Sequence, residues 1–113
     1  MAFIDWDLAA PGARVHDVAH VCWQYAGLGP RANVAEAAGR VRLIADAYGL
    51  LDRAALVETI LWWQDRCWRG FAAAADAGEP AMVRLRASGA VDEVRAAHRW
   101  TAEHRPFLQQ VLA

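Results

Sequence analysis

Leu56-Val57-Glu58-Thr59-Ile60-Leu61-Trp62-Trp63-Gln64-Asp65-Arg66-Cys67-Trp68-Arg69-Gly70-Phe71, continued by an alanine run to Ala77, is the stretch that decides the fold. Leu56, Ile60, Trp63, Cys67 and Phe71 recur every three or four positions, the period of one helix face. Glu58, Asp65, Arg69 and Asp76 fall on the opposite side, and Asp65 and Arg69 have the one-turn spacing of a helical ion pair. Asp52 stands where an N-cap belongs, so the longest helix is predicted from Asp52 to about Ala77.

The flanking sequence repeats the pattern. Before it, Val18, Val21, Cys22 and Tyr25 take helical spacing, widened by Ala19, Trp23 and Ala26, which predicts a helix over 14–26 closed by Gly27. Gly27-Leu28-Gly29-Pro30 reads as a loop; without a third glycine, a lysine or a preceding strand it is not a phosphate loop. Asn33 caps a second helix whose inner face is Ala37, Val41, Ile44 and Tyr48, ended by Gly49. After the long helix, Glu79-Pro80 opens a short one to about Ala87, Ser88-Gly89 breaks it, another spans about Val91 to Glu103, and Pro106 restarts a last turn or two to Leu112. At the head, Ala2 to Ile4 is short, apolar and β-inclined, with no second strand to pair with it. The expected fold is a single mainly α domain over 1–113, about five helices preceded by one short orphan strand.

Composition sets outer bounds. The apolar fraction is 57%, enough for a packed core rather than disorder. A net charge of −1 gives no basic field to attract nucleic acid or an anionic membrane, so neither is an expected partner. No charge-free apolar stretch approaches the ~18 residues a membrane span needs, and the N-terminus lacks a signal-peptide pattern, so the expected compartment is the cytoplasm. All 12 basic residues are arginine, which leaves no lysine to act as a Schiff-base former, a general base or a phosphate grip. Cys22 and Cys67 are far apart, lack metal-type spacing and sit in helical apolar patterns as free thiols.

The acids at the head have chemical content. Phe3-Ile4-Asp5-Trp6-Asp7-Leu8-Ala9-Ala10-Pro11-Gly12 reads as a strand end, an acidic turn and a Pro-Gly corner, and His16-Asp17-Val18-Ala19 follows on a helix. An acid just past a strand end can hold Mg²⁺, because that ion takes few protein ligands and completes its shell with water and substrate phosphates. Asp5 and Asp7 equally suit the capping of a turn, and spacing does not separate the two.

These segments resemble the metal-binding segment of the aminoglycoside phosphotransferase family, part of the protein-kinase-like superfamily, whose pattern is Ile-Asp-Trp/Phe-Asp/Glu, a few residues, Gly, then aromatic-Asp-Leu-Ala. Arg42-Leu43-Ile44-Ala45-Asp46-Ala47-Tyr48-Gly49-Leu50 looks like the helical subdomain of the same family, so the similarity covers the whole chain and is strongest over 3–25. The resemblance implies that Asp5 is the Mg²⁺-binding aspartate, that Trp6 takes the aromatic position after it, and that Asp17 braces the catalytic loop through backbone hydrogen bonds. His16 stands where the family has an aromatic and Val18 where it has leucine. It further implies ATP-dependent phosphoryl transfer to a hydroxyl of a small molecule, with Mg²⁺ and ATP as cofactors of the intact enzyme. That chemistry also needs a phosphate-covering loop, a lysine, and a catalytic-loop Asp with an Asn. The chain supplies only the metal aspartate, so it reads as a truncated C-terminal helical part that binds no cofactor and phosphorylates nothing alone. The alternative is a stand-alone, non-catalytic helical module for binding or oligomerisation.

Other residues invite a role. His16 and His20 are one turn apart, but two ligands do not make a metal site, and plain half-buried or surface histidines are expected. His98 and His104 share no helix face and are expected on the surface. Of the six tryptophans, Trp63 joins a core stripe and Trp23, Trp68 and Trp100 flank apolar faces. Trp62 lies among Glu58, Asp65 and Arg69, where it would either receive an amine-bearing ligand, as the family's helical subdomain does, or cover an interface. The strand edge at Ala2–Ile4 and the exposed aromatics are expected to drive homodimerisation.

Overall fold

The computed structural model describes residues 11–113, with side chains from Arg14 onward. Six helices follow one another among the described residues: α1 Pro11–Tyr25, α2 Val34–Ala47, α3 Leu56–Asp76, α4 Pro80–Ala87, α5 Ala90–Glu103 and α6 Arg105–Leu112. The described part is mainly helical and contains no strand. The segment 2–4, together with Asp5, Trp6 and Asp7, lies outside the described residues.

The long helix organises the packing as its amphipathic pattern requires. α3 touches α1, α4, α5 and α6, while α2 is held between α1 and α6. The core joins Val18, Ala19 and Cys22 of α1 to Ala37, Ala38, Val41 and Ala45 of α2. Leu56, Val57 and Ile60 of α3 pack into the same cluster, and Trp100, Leu108 and Leu112 close it. Each fully buried aliphatic side chain such as Ile60 contributes ~1.5–3 kcal/mol by leaving water. The assembly measures 42 × 40 × 16 Å. That thinness leaves most helices with one face near solvent, and several large apolar side chains are exposed accordingly, Leu51 (96%) and Tyr25 (73%) most of all.

Local signals account for most helix ends. The Asn33 side chain accepts from the Glu36 N–H at 3.1 Å, the N-cap bond expected of it. α2 ends in a left-handed glycine: Gly49 has φ 64°, its N–H reaches Asp46 O, and Leu50 N–H reaches Ala45 O, so two orphan carbonyls are satisfied. Pro80 occupies the first turn of α4, where its missing N–H costs nothing.

Three expectations are corrected. Asp52 caps a turn rather than α3: its carboxylate accepts from Ala54 N–H at 3.2 Å, and the helix starts only at Leu56. The buried residues of α3 are Leu56, Val57, Thr59, Ile60, Gln64 and Ala75, whereas Trp63, Cys67 and Phe71 are half-buried. The reason is that α3 has neighbours on several sides, so no single 3.6-residue stripe describes its burial. His98 and His104 are half-buried, not surface residues. His104 packs its ring 4.6 Å from that of Trp100 and places Nδ1 2.8 Å from the Trp100 carbonyl, closing the end of α5.

Candidate functional site

Asp17 is the member of the acidic head segment that the structure places. Its neighbours on α1, His16 and His20, are one turn apart and lie along α3. There they meet the Trp62-Trp63 pair, whose rings stand nearly perpendicular at 5.0 Å. His16 sits edge-on to both indoles, 5.2 Å from Trp62 and 5.9 Å from Trp63, and His20 lies 5.3 Å from Trp63. Perpendicular rings at these spacings set the positive edge of one against the negative face of another, an arrangement that adds ~0.5–1.5 kcal/mol per pair to area burial. Half-buried His16 is therefore a packing residue of the α1–α3 seam, while His20 is exposed at its rim.

His16 divides two open recesses. One is lined by Asp17, His20, Val21, Tyr48 and Trp63 in addition to His16. The other is lined by Glu58, Thr59 and Trp62. Arg14 of α1 donates to the Tyr48 carbonyl and ties α1 to the end of α2 beside the first recess. Asp17 is exposed and has no hydrogen bond or ion pair among the described residues.

Trp62 and its acids are brought together only in part. Glu58 and Trp62 line one recess, but Glu58 is paired with Arg105 at the start of α6. Asp65 is paired with Arg69, Nε to Oδ1 at 2.8 Å. The cation over the Trp62 ring is the chain's own Arg66, with Cζ 4.6 Å from the centroid. Arg66 thus covers one face of the Trp62 ring, and the indole remains 44% exposed.

The described residues offer little reactive chemistry. No group of three or more His, Cys, Asp or Glu among them could hold a metal ion. Burial pushes the Cys22 thiol up to about 12, which keeps it protonated and unreactive at neutral pH. Cys67 is also raised by burial, with a hydrogen bond from Trp23 acting in the opposite direction. Sequence reading missed the coupling of His16 and His20 to Trp62 and Trp63. The signal available was two histidines one turn apart beside the apolar face of α1, and a Trp-Trp pair flanking that of α3. Comparisons with protein-family models, with curated proteins and with solved structures find no match.

Proposed function

We propose that this chain is the C-terminal helical segment of an aminoglycoside-phosphotransferase-like small-molecule kinase, cytoplasmic, and inactive by itself. The observation that carries the reading is Asp17. The residue that the resemblance assigns to bracing a catalytic loop lies exposed on α1, without a partner among the described residues, at the edge of an open recess. A carboxylate so placed is free to accept backbone N–H groups from a docked loop.

In the completed site Asp5 would hold Mg²⁺, which neutralises the charge that develops on a transferred phosphoryl group, with Asp7 as a further oxygen ligand or a turn cap. Asp17 would fix the catalytic loop, and the helices would form the wall on the substrate side. The phosphate-gripping lysine and the catalytic Asp/Asn pair are not among these 113 residues.

A second reading, a stand-alone binding or oligomerisation module, draws support from the exposure of Leu51 (96%), Tyr25 (73%) and Trp62 (44%). Three measurements separate the readings. The phosphotransferase reading expects a His-Gly-Asp…Asn segment encoded in frame directly before Met1, and no saturable Mg²⁺–ATP binding by the 113-residue chain in calorimetry. An in-frame stop codon directly upstream would favour the module, as would a defined dimer in light scattering. Micromolar, Mg²⁺-dependent ATP binding by this chain alone would overturn the claim that its site is partial.

A further inference from the structure

We infer that the recess between the α1–α2 loop and the first two turns of α5 binds a small amino acid with a cationic side chain, of the lysine class. Gly27, Leu28, Gly29, Arg31 and Ala32 line it from the loop. Asp92, Glu93, Ala96 and Ala97 line it from α5, where their spacing puts them on one helix face. A Cβ on Gly29 would stand 3.9 Å from that of Ala97, so the loop backbone lies against α5 at that point. Glycines on one wall and alanines on the other leave a space of about 500 Å³, within the range of small-molecule sites.

The two walls carry opposite charges that do not pair with each other. Arg31 on the loop and Asp92 and Glu93 on α5 are all exposed, and none of the three forms an ion pair among the described residues. Acids in a first helical turn suit the helix dipole and need no ligand by themselves. The dipole does not account for the apolar lining beside them, made of buried Leu28 and Ala97 with half-buried Ala32 and Ala96. Nor does it account for a guanidinium on the facing wall that has no carboxylate.

Charge complementarity selects the occupant. One cation and two anions around an apolar lining match a ligand with one carboxylate, two ammonium groups and an aliphatic stem between them. The Arg31 guanidinium offers its planar fork to the carboxylate. The two acids take one ammonium each, and the methylene stem lies on Leu28 and the alanines. A diamine would leave Arg31 unmatched, and a neutral amino acid would leave one acid unmatched. The site stands on the loop and α5 and does not depend on the phosphotransferase reading.

The test follows backbone amide resonances of the intact chain during titration with lysine, cadaverine and norleucine, each against sodium chloride at equal ionic strength. Lysine should give saturable shifts centred on Gly27, Gly29, Arg31, Glu93 and Ala97, with a Kd of about 1–10 mM at low salt. Cadaverine lacks the carboxylate and norleucine the second ammonium. Each should bind about two- to fivefold more weakly, the worth of an exposed ion pair. Arg31→Gln should abolish the preference for lysine over cadaverine, and Asp92→Asn combined with Glu93→Gln should abolish that over norleucine. Ala96→Leu should fill the recess and remove saturable binding of all three probes, its own amide spectrum reporting that it is folded. Equal shifts with sodium chloride, equal affinity for the three probes, or a preference for lysine over cadaverine that survives Arg31→Gln would overturn the proposal.

Discussion

Gln64 is the least expected member of the core, and its energetics can be worked from its contacts. The side chain is fully buried between α3 and α5, and its Nε2 donates to Thr101 Oγ1 at 3.0 Å. The Thr101 hydroxyl in turn donates to the Ala97 carbonyl at 2.9 Å, so its proton is committed and it can only accept from Gln64. Flipping the amide would leave the Nε2 group without that acceptor, so the assigned orientation is the better one. In this orientation Gln64 Oε1 is buried with no donor among the described residues. Replacing Gln64 by Met, of similar shape, removes a neutral hydrogen bond that stabilises by ~0.5–1.5 kcal/mol and relieves an orphan acceptor that costs ~1–3 kcal/mol. The expected net change runs from a loss of ~0.5 to a gain of ~2.5 kcal/mol in stability. Thr101→Val leaves the amide N–H orphaned as well and should destabilise by ~1–3 kcal/mol. The double variant has no orphan left, so the cycle should show a coupling of ~1–3 kcal/mol. Urea unfolding followed by circular dichroism at 222 nm measures all four corners. Should Gln64→Met lose more than about 2 kcal/mol while the two changes simply add, Oε1 is hydrogen-bonded in solution and the reasoning fails.

Three further outcomes are expected. Asp17→Ala should leave stability within about 0.5 kcal/mol of the parent in the same urea assay, as for a surface residue without partners; a larger loss would show that Asp17 braces its own helix and would weaken its assignment to a docked loop. Asn33→Ala should cost about 1 kcal/mol by removing the side-chain acceptor for Glu36 N–H, and Asn33→Ser should recover nearly all of it, read as thermal midpoints. Cys22 should resist an aromatic disulfide reagent at pH 8 in the folded chain. Its folded pKa of about 12 lies above the ordinary thiol value of 9.0, so the folded state holds the proton more tightly. The stability linked to it is fully present below pH 9 and is lost as pH rises towards about 12. A Cys22 that reacts as fast native as unfolded would contradict this.

What was legible in the sequence was local. Asn33, Gly49 and Pro80 specify their helix ends through bonds or dihedrals within a few residues, and each sits where the sequence puts it. Asp52 misled because the same Asx chemistry caps either a helix or a turn, and the choice depends on where Leu56 is drawn into the core. Gln64 could not be foreseen for another reason. An amide beside two tryptophans reads as a polar flank until α5 closes over it and Thr101 supplies an acceptor 37 positions away. The placement of His16 on Trp62 and Trp63 likewise rests on the pairing of α1 with α3, which no capping or periodicity signal encodes.

The same contrast separates what the described residues do from what the acidic head would do. A general acid or nucleophile needs a side chain whose protonation state is poised and whose reactive atom reaches open space. Cys22 has neither property, being buried and held protonated. Glu58 and Asp65 are engaged by arginines, and His16 and His20 lie against indoles. Asp17 alone on this face combines charge, exposure and freedom from partners among the described residues. One free carboxylate on a rigid helix suits the holding of a backbone loop better than bond-making. The phosphotransferase reading therefore places reactivity in Asp5 and in residues outside this sequence, and gives the six helices the task of holding Asp17 at an open edge.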